Sequence, residues 1–294
     1  MLTVFGAPKS FEGEYGIFQE NAVQSWTRLG QDIEIILFGK DPGVADFCKR
    51  IGVRNEADIE YAPSGAPMLA SVIARAEALA RNEMLCLVNT DIILLGDILE
   101  AVKRLSFMKE YLLTGSRYEM CVSGRIDILA ENWESRLLTR KHERTEIKGV
   151  DYWVFRKGIY NDIPPLIIGR NYWDYWLIYR ALSQHIPVID GTRAIRAIHQ
   201  THEIKNRKLP VDEVRWNRKM SGVGQYFTID DATHVLTGEG LVMSSDDWRL
   251  IDSLLMMKLE RVYPYISLAR YRRDRASLQD LLKVPLRMIC KRLV

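Results

Sequence analysis

The chain has 294 residues, 47% of them hydrophobic and 27% charged, with a formal net charge of +3. That length and balance suit a soluble globular protein of one large or two small domains with a real core. The charge is uneven: of 41 basic and 38 acidic residues, eight and two fall between Arg270 and Val294, which leaves the body at −3 and the tail strongly basic. A basic body would suggest nucleic acid, which is not expected here; a basic tail suggests a membrane surface, RNA or only a solvated helix.

No apolar run approaches the roughly 18 residues that span a bilayer. Met1 leads almost directly into the strand-like Leu2-Thr-Val-Phe5. No charged region with an apolar stretch precedes it, which predicts no signal peptide. Cys48, Cys86, Cys121 and Cys290 are scattered without metal-type spacing. They read as free thiols in a reducing, cytoplasmic compartment.

The first half alternates strand and helix patterns. A short apolar run at 2–5 ends at Gly6 and Pro8, and 18–29 has helical spacing through Ala22, Val23 and Trp26. A strand at 32–38 (DIEIILF) runs into a turn at 39–43, followed by a short helix at 44–51. An Ala-rich helix is predicted at 67–80, with Pro67 in its first turn. The next strand is 84–88, and Gly96-Asp97 opens a helix through Leu105. A further strand lies at 111–114. This order predicts an α/β fold with a largely parallel sheet.

The second half is less regular. Strands are predicted at 150–155, 187–189 and 193–198, and a helix at 173–182. Residues 205–240 are polar and loop-rich, and 245–262 is helical in pattern. In 277–294, Leu278, Leu282, Ile289 and Leu293 lie roughly on one side, with Lys283, Arg287 and Lys291 on another. That tail is either an amphipathic contact with an anionic membrane surface or a helix docked on the body, and Pro285 interrupts it. The expected domains are 1–240 and a helical, basic C-terminal extension over 241–294.

Three motifs carry chemistry. In a parallel α/β sheet, ligands collect at the carboxyl ends of the strands. Asn89, Thr90 and Asp91 end the 84–88 strand. A carboxylate there can hold Mg²⁺ or Mn²⁺, which take oxygen ligands and neutralise a leaving diphosphate; short polar trios also end many ordinary strands. In "GRNYWDYWLIYRAL" (169–182), Asp174 lies in the first turn of a helix between Trp173 and Trp176. It is either a general base toward a hydroxyl or an acid favoured by the helix dipole. The tryptophans offer flat faces to a sugar ring or fill the core, and for Trp176 the core is expected. In "AIRAIHQTHEI" (194–204), His199 ends a strand and His202 follows. No further Cys or His has zinc-type spacing. Neither a P-loop nor a G-x-G-x-x-G turn follows an early strand.

Together these pieces resemble the GT-A glycosyltransferases, which move a sugar from a nucleotide donor. In that fold a D-x-D-type motif ends a central strand, a later helix carries an acidic residue, and a histidine completes the metal shell. Asn89-Thr-Asp91, Asp174 and His199 stand in that order, the last two 25 residues apart. The chain is also similar to nucleotide-diphospho-sugar transferase-like proteins (glycosyltransferase family 2-like). The matching segments are "PKSFEGEYGIFQENAVQSWTRL" (8–29), "ILFGKDPGV" (36–44), "SGAPML" (64–69) and "LVNTDIIL" (87–94). They continue with "GVDYWVFRKGIYNDIPPLIIGRNYWDYWLI" (149–178) and "AIHQTHE" (197–203). The resemblance covers residues 1 to 240.

It implies a GT-A type, Rossmann-like, mostly parallel sheet flanked by helices. It places Gly6, Ala7, Pro8, Lys9 and Asp41 at the base and ribose, and Gly65 beside the nucleotide. Asn89, Thr90 and Asp91 are implied to meet ribose, metal and diphosphate. Asp151, Arg170 and Trp173 are implied to face the acceptor or donor sugar. Asp174 is the implied base, and Asp91 with His199, or His202, the implied ligands of Mn²⁺ or Mg²⁺. The implied activity is transfer from a nucleotide-diphosphate sugar to a glycan or lipid-linked acceptor, with inversion. The rivals are a non-catalytic nucleotide-sugar binder and a sugar-1-phosphate nucleotidyltransferase, whose Gly-rich basic loop "FGAPKSFEGEYG" lacks. The chain departs from the resembled pattern at Tyr175, at His202-Glu-Ile204 and at Arg117-Tyr-Glu119. These departures touch donor or acceptor choice.

Overall fold

The computed structural model describes residues 1–144, 150–201, 210–223 and 226–243. In chain order its elements are β1 (Leu2–Gly6), α1 (Gly13–Thr27), β2 (Ile33–Phe38), α2 (Val44–Ile51), β3 (Arg54–Glu56), α3 (Leu69–Leu79) and β4 (Met84–Val88). Then come β5 (Ile92–Ile93), α4 (Asp97–Arg104), β6 (Leu112–Thr114), β7 (Tyr118–Met120), α5 (Trp133–Leu138), β8 (His142–Arg144) and β9 (Tyr152–Arg156). The last are α6 (Trp173–Ser183), β10 (Val188–Asp190), β11 (Ile198–Gln200), α7 (Val211–Ser221), β12 (His234–Leu236) and β13 (Leu241–Met243).

The main sheet runs β13-β12-β10-β6-β9-β4-β1-β2-β3. Its pairs are parallel except around β9, which is antiparallel to both β4 and β6, and at the edge pair β12–β13. The mixed α/β architecture expected from the sequence is therefore present. A second sheet, β5-β11-β7-β8, leans on the end of β4.

Strand alternation sorts the core into two layers. Phe5, Ile36, Phe38, Leu85, Leu87, Trp153 and Phe155 face α3 and α6. Leu2, Val4, Ile35, Leu37, Cys86, Val88 and Val154 face α1, α2 and α4. The small sheet and α5 enclose a third cluster around Met120, Ile128 and Trp133. Among the described residues no helix is long and apolar enough to cross a membrane.

Several expectations are displaced. Helix α1 starts at Gly13, ahead of the predicted 18. The strand predicted at 193–198 is β11, at Ile198–Gln200. Ahead of it, the amides of Ala194 and Ile195 both bond Gly191 O, which makes a turn instead of a strand. The stretch read as loop-rich contains α7 and β12. Residues 241–243 form β13 on the edge of the main sheet, so the extension's first residues join the body. The helix predicted at 245–262, the 277–294 tail and Cys290 lie outside the described residues.

One glycine sets how closely the central strands end together. A methyl group on Gly6 would lie 2.6 Å from Val88 O and 2.9 Å from Thr90 Cγ2. Backbone on one side and a buried threonine on the other leave little room to shift. Gly6→Ala is expected to lower the stability of the fold by about 1–3 kcal/mol, the range for overpacking a well-packed site. Thermal or urea unfolding measures it, and unchanged stability would contradict the packing described.

Candidate active site

The site forms where β1, β2 and β4 end and β9 begins. Asn89 binds Asp151 twice: its backbone amide donates to Asp151 O at 2.9 Å and its Nδ2 donates to Asp151 Oδ1 at 2.6 Å. Thr90 is buried and donates through Oγ1 to Gln19 Oε1 at 2.9 Å. The same Gln19 oxygen accepts from the Lys9 amide at 2.8 Å, and its Nε2 donates to the carbonyls of Lys9 and Ser10. Gln19 of α1 thus pins the 8–10 loop to the end of β4. Thr90 is an anchor in this arrangement.

Asp91 is 9% exposed. Its Oδ2 accepts from the Tyr15 hydroxyl at 3.0 Å and lies 3.6 Å from His199 Nε2. Burial alone would raise this carboxyl, but the hydrogen bond and charge of His199, the charge of Lys9 and the Tyr15 hydroxyl outweigh it and hold it at about 2. Lys9 itself is exposed, with Nζ 4.5 Å over the Tyr15 ring.

A continuous polar string joins His199 to Asp151. Strands β7 and β11 pair in parallel with Glu119 opposite His199. Glu119 Oε2 lies 2.7 Å from His199 Nδ1, and Glu119 Oε1 accepts from Arg117 Nε at 2.8 Å. Arg117 Nη1 donates to Asp151 Oδ2 at 2.7 Å. A carboxylate on Nδ1 fixes the imidazole with Nε2 turned toward Asp91, the arrangement that orients metal-binding histidines. Burial opposes the charged imidazole, but the bonds to Asp91 and Glu119 raise its pKa above the usual value.

Asp174 opens α6 after Tyr172, which has a left-handed φ of 84°. The residue is partly exposed, yet its Oδ1 is buried with no hydrogen-bond partner among the described residues. Burial pushes this carboxyl up to about 7; first-turn amides, led by that of Tyr175, oppose the shift, and the nearby Asp151 charge adds to it. That is the range in which a carboxylate works as a base near neutral pH.

The remaining residues fall as follows. Gly6 ends β1, and Ala7 and Pro8 lead into the Gln19-pinned loop. Asp41 is exposed on the turn before α2, where its charge acts on the Tyr61 hydroxyl. Gly65 is exposed with φ 84°, in a turn closed by the Ala62 amide bonding Ala66 O at 2.8 Å. Arg170 is 8% exposed and committed to Glu213, with Nε–Oε2 at 2.5 Å and Nη2 donating to Ser64 Oγ at 3.3 Å. Its guanidinium is a structural tie, not an open sugar contact. Trp173 is 5% exposed and packs on Trp153 with centroids 4.8 Å apart. The face that the sequence offered to a sugar is in the core, and Trp176 is buried in the same cluster. His202 lies outside the described residues. The sequence assigns no role to Tyr15, Gln19 and Gln200, and marks Arg117 and Glu119 only as a departure from the resembled pattern. Of the first three, only Gln200 had a local signal, its place beside His199.

The single antiparallel strand β9 between β4 and β6 in an otherwise parallel central sheet is consistent with the GT-A, Rossmann-like fold that the sequence resembles. No protein-family model and no curated protein matches the chain. Solved structures resemble it at low identity. S. aureus TarS 1–349, in complex with UDP-GlcNAc, has a TM-score of 0.48 and 14% identity over 75% of this chain and 65% of that one. Glucosyl-3-phosphoglycerate synthase from Mycobacterium tuberculosis, in complex with Mn²⁺, UDP-glucose and phosphoglyceric acid, has a TM-score of 0.45 and 10% identity over 76% and 80%. A mannosyltransferase from Pyrobaculum calidifontis, with GDP-Man and Mn²⁺, has a TM-score of 0.43 and 12% identity over 98% and 82%. The chain thus spans less than two thirds of the TarS portion.

If Glu119 orients His199, Glu119→Gln weakens Mn²⁺ binding by about 10–100-fold, the usual effect of losing such a partner. Titration of Mn²⁺ followed by electron paramagnetic resonance reads this directly. Affinity equal to the unaltered chain would remove Glu119 from the metal's support.

Proposed function

We propose that this chain is a metal-dependent glycosyltransferase that moves a sugar from a nucleotide-diphosphate sugar to an acceptor hydroxyl. The observation that carries this reading is the meeting of Asp91 and His199, at 3.6 Å, together with a base-like Asp174 that feels the charge of Asp151. Among the described residues no group of three or more His, Cys, Asp or Glu could hold a metal by itself. One carboxylate and one imidazole still fit Mn²⁺ or Mg²⁺, which fill their shells with water and substrate phosphate. A metal bound there supplies charge neutralisation to the leaving diphosphate.

The chain's own residues do the rest. The 6–9 loop and Asp41 border the strand ends where the nucleotide is proposed to bind, with Lys9 adding positive charge. Asn89, held by Asp151, meets the ribose. Asp174 takes the proton from the acceptor hydroxyl, whose oxygen attacks the anomeric carbon as the diphosphate leaves, with inversion. The proposed donor is a UDP-sugar and the proposed acceptor a glycan or lipid-linked hydroxyl. A cytoplasmic location, with residues 277–294 on an anionic membrane surface, belongs to the same proposal and rests on the sequence alone.

UDP-GlcNAc, UDP-glucose and GDP-mannose, the donors bound in the similar structures, form the first panel. Metal-dependent release of free nucleotide diphosphate is expected with at least one nucleotide sugar. A pure binder releases none. Asp91→Ala is expected to abolish metal-dependent UDP binding, and full retention would overturn the metal assignment.

Asp174→Asn is expected to cut transfer by about 10²–10⁴-fold, the usual contribution of a general base. In the unaltered chain the rate should fall as pH drops through about 7, where Asp174 gains its proton. The stability sign is the opposite. A carboxyl raised from 3.8 to about 7 favours the fold while protonated, and that contribution is lost as pH rises between those values. Asp174→Asn should therefore raise Tm at pH 8, with the gain vanishing toward pH 4. A variant that transfers at full rate excludes Asp174 as the base.

A further inference from the structure

Three tyrosines surround the first turn of α6. Tyr172 and Tyr175 flank Asp174 in the chain, and Tyr226 packs on both, with centroids 5.2 Å from Tyr172 and 4.7 Å from Tyr175. The Tyr172 and Tyr226 hydroxyls lie 3.1 Å apart. Tyr226 is 51% exposed, so the cluster keeps an open aromatic face. Tyr172 holds a φ of 84°, a conformation that tyrosine rarely adopts. Such local strain, held in place by its surroundings, often marks a functional site.

Beside the cluster lies the C-terminal half of α7. Arg215, Arg218 and Lys219, spaced to share one helix face, line an open pocket of about 390 Å³ with Gly222 and Val223. Asn217, next to Arg218 on α7, donates to the carbonyl of Asn171, next to Tyr172, at 3.1 Å, so the helix that lines the pocket packs against the entry of α6. No carboxylate among the described residues pairs with Arg218 or Lys219. Arg215 has a 3.7 Å contact with Asp212, and both side chains are exposed, so the contact is screened and weak. Cations near a helix C-terminus are favoured by its dipole, which explains part of this charge. The dipole does not explain why the cations line a concavity on the helix that packs against the entry of α6. Guanidinium groups facing a recess suit phosphate or carboxylate.

We propose that Arg215, Arg218 and Lys219, with Tyr172, Tyr175 and Tyr226, form a subsite for an anionic acceptor, a sugar or polyol that carries a phosphate or carboxylate group. The anion sits among the α7 cations, the carbon skeleton lies on the tyrosines, and a hydroxyl points to Asp174. The hydroxyl's fate rests on the transferase reading above. The acceptor oxygen bonds the anomeric carbon, the bond from that carbon to the diphosphate breaks with its electron pair on the diphosphate, and the acceptor proton passes to Asp174.

The test uses the full chain without donor or metal, titrated calorimetrically with inorganic phosphate and with glucose 6-phosphate. Saturable binding of both is expected, with glucose 6-phosphate the tighter. Arg215→Gln/Arg218→Gln/Lys219→Gln should lose at least tenfold in affinity for both probes. Tyr226→Ala should weaken glucose 6-phosphate several-fold and leave phosphate unchanged. Absence of phosphate binding, or equal phosphate affinity in the triple variant, overturns the anion subsite. Equal glucose 6-phosphate affinity in Tyr226→Ala overturns the stacking. Because neither donor nor metal is present, failure here leaves the transferase reading intact. Conversely, a chain that binds phosphate and never hydrolyses a nucleotide sugar overturns that reading alone.

Discussion

A buried side-chain amide decides where the candidate metal ligands stand. Gln200 is fully buried. Its Nε2 donates to Phe18 O at 2.7 Å and to Asp91 O at 3.1 Å, and its Oε1 accepts from Asn21 Nδ2 at 2.9 Å. An orphaned buried amide group costs about 1–3 kcal/mol, so these bonds select one arrangement of β11, α1 and the end of β4. His199, next to Gln200 on the strand, points to the other side by ordinary alternation. That turn brings its imidazole to the Asp91 carboxylate. Asn21 extends the constraint, since its Oδ1 accepts from the Ile126 amide at 2.9 Å and its Nδ2 also donates to Gly124 O. The small sheet and its loops are thereby tied to the same helix that pins the 8–10 loop.

The charges around this seam fall into two kinds. Asp91, Glu119 and Asp151 each have a cationic neighbour, in His199, in both His199 and Arg117, and in Arg117 respectively. Asp174 has none among the described residues, and it is the carboxyl pushed up to about 7. Environments that push neighbouring carboxyl groups apart separate the ionised role from the proton-accepting one. The paired acids hold position and charge. The unpaired one suits the base role proposed for Asp174.

The parts legible in the sequence share one property: their signal is local. The apolar runs of β1, β2 and β4 mark buried parallel strands, so the strand ends carrying Gly6 and Asp91 could be located. Asp174 and His199 were found by their order after Asp91. Arg117 and Glu119 drew notice only as a departure from a pattern, because their role depends on β7 lying beside β11, a pairing across about 80 residues of chain. Helix α7 was read as loop because it lacks an apolar stripe. Its buried positions are Asn217 and Ser221, and Asn217 holds it by bonding the Ile167 amide at 2.8 Å and Ile167 O at 2.9 Å. Trp173 shows the converse error. A tryptophan beside a catalytic-looking acid suggests a sugar platform, but alternation around α6 turns it inward onto Trp153, and the exposed aromatic face belongs to Tyr226.

Helix α7 also explains how two sides of the site keep their spacing. Glu213, in its first turn, meets Arg170, and Arg170 also reaches Ser64 in the turn that carries Gly65. Both partners of that ion pair are largely buried, so losing either would leave a charge without compensation. Further along the helix, Asn217 donates to Asn171 O, just ahead of Tyr172 and Asp174. Trp216 adds a bond to Pro165 O at 2.7 Å. The turn that carries Gly65, the entry to α6 and the cations of α7 are therefore linked by buried or partly buried bonds to one helix. Those bonds fix α7, and with it Arg218, relative to the entry of α6. A rigid relation of this kind is what the proposed acceptor subsite requires, because a misplacement of about 1 Å can cost about 10²-fold in rate.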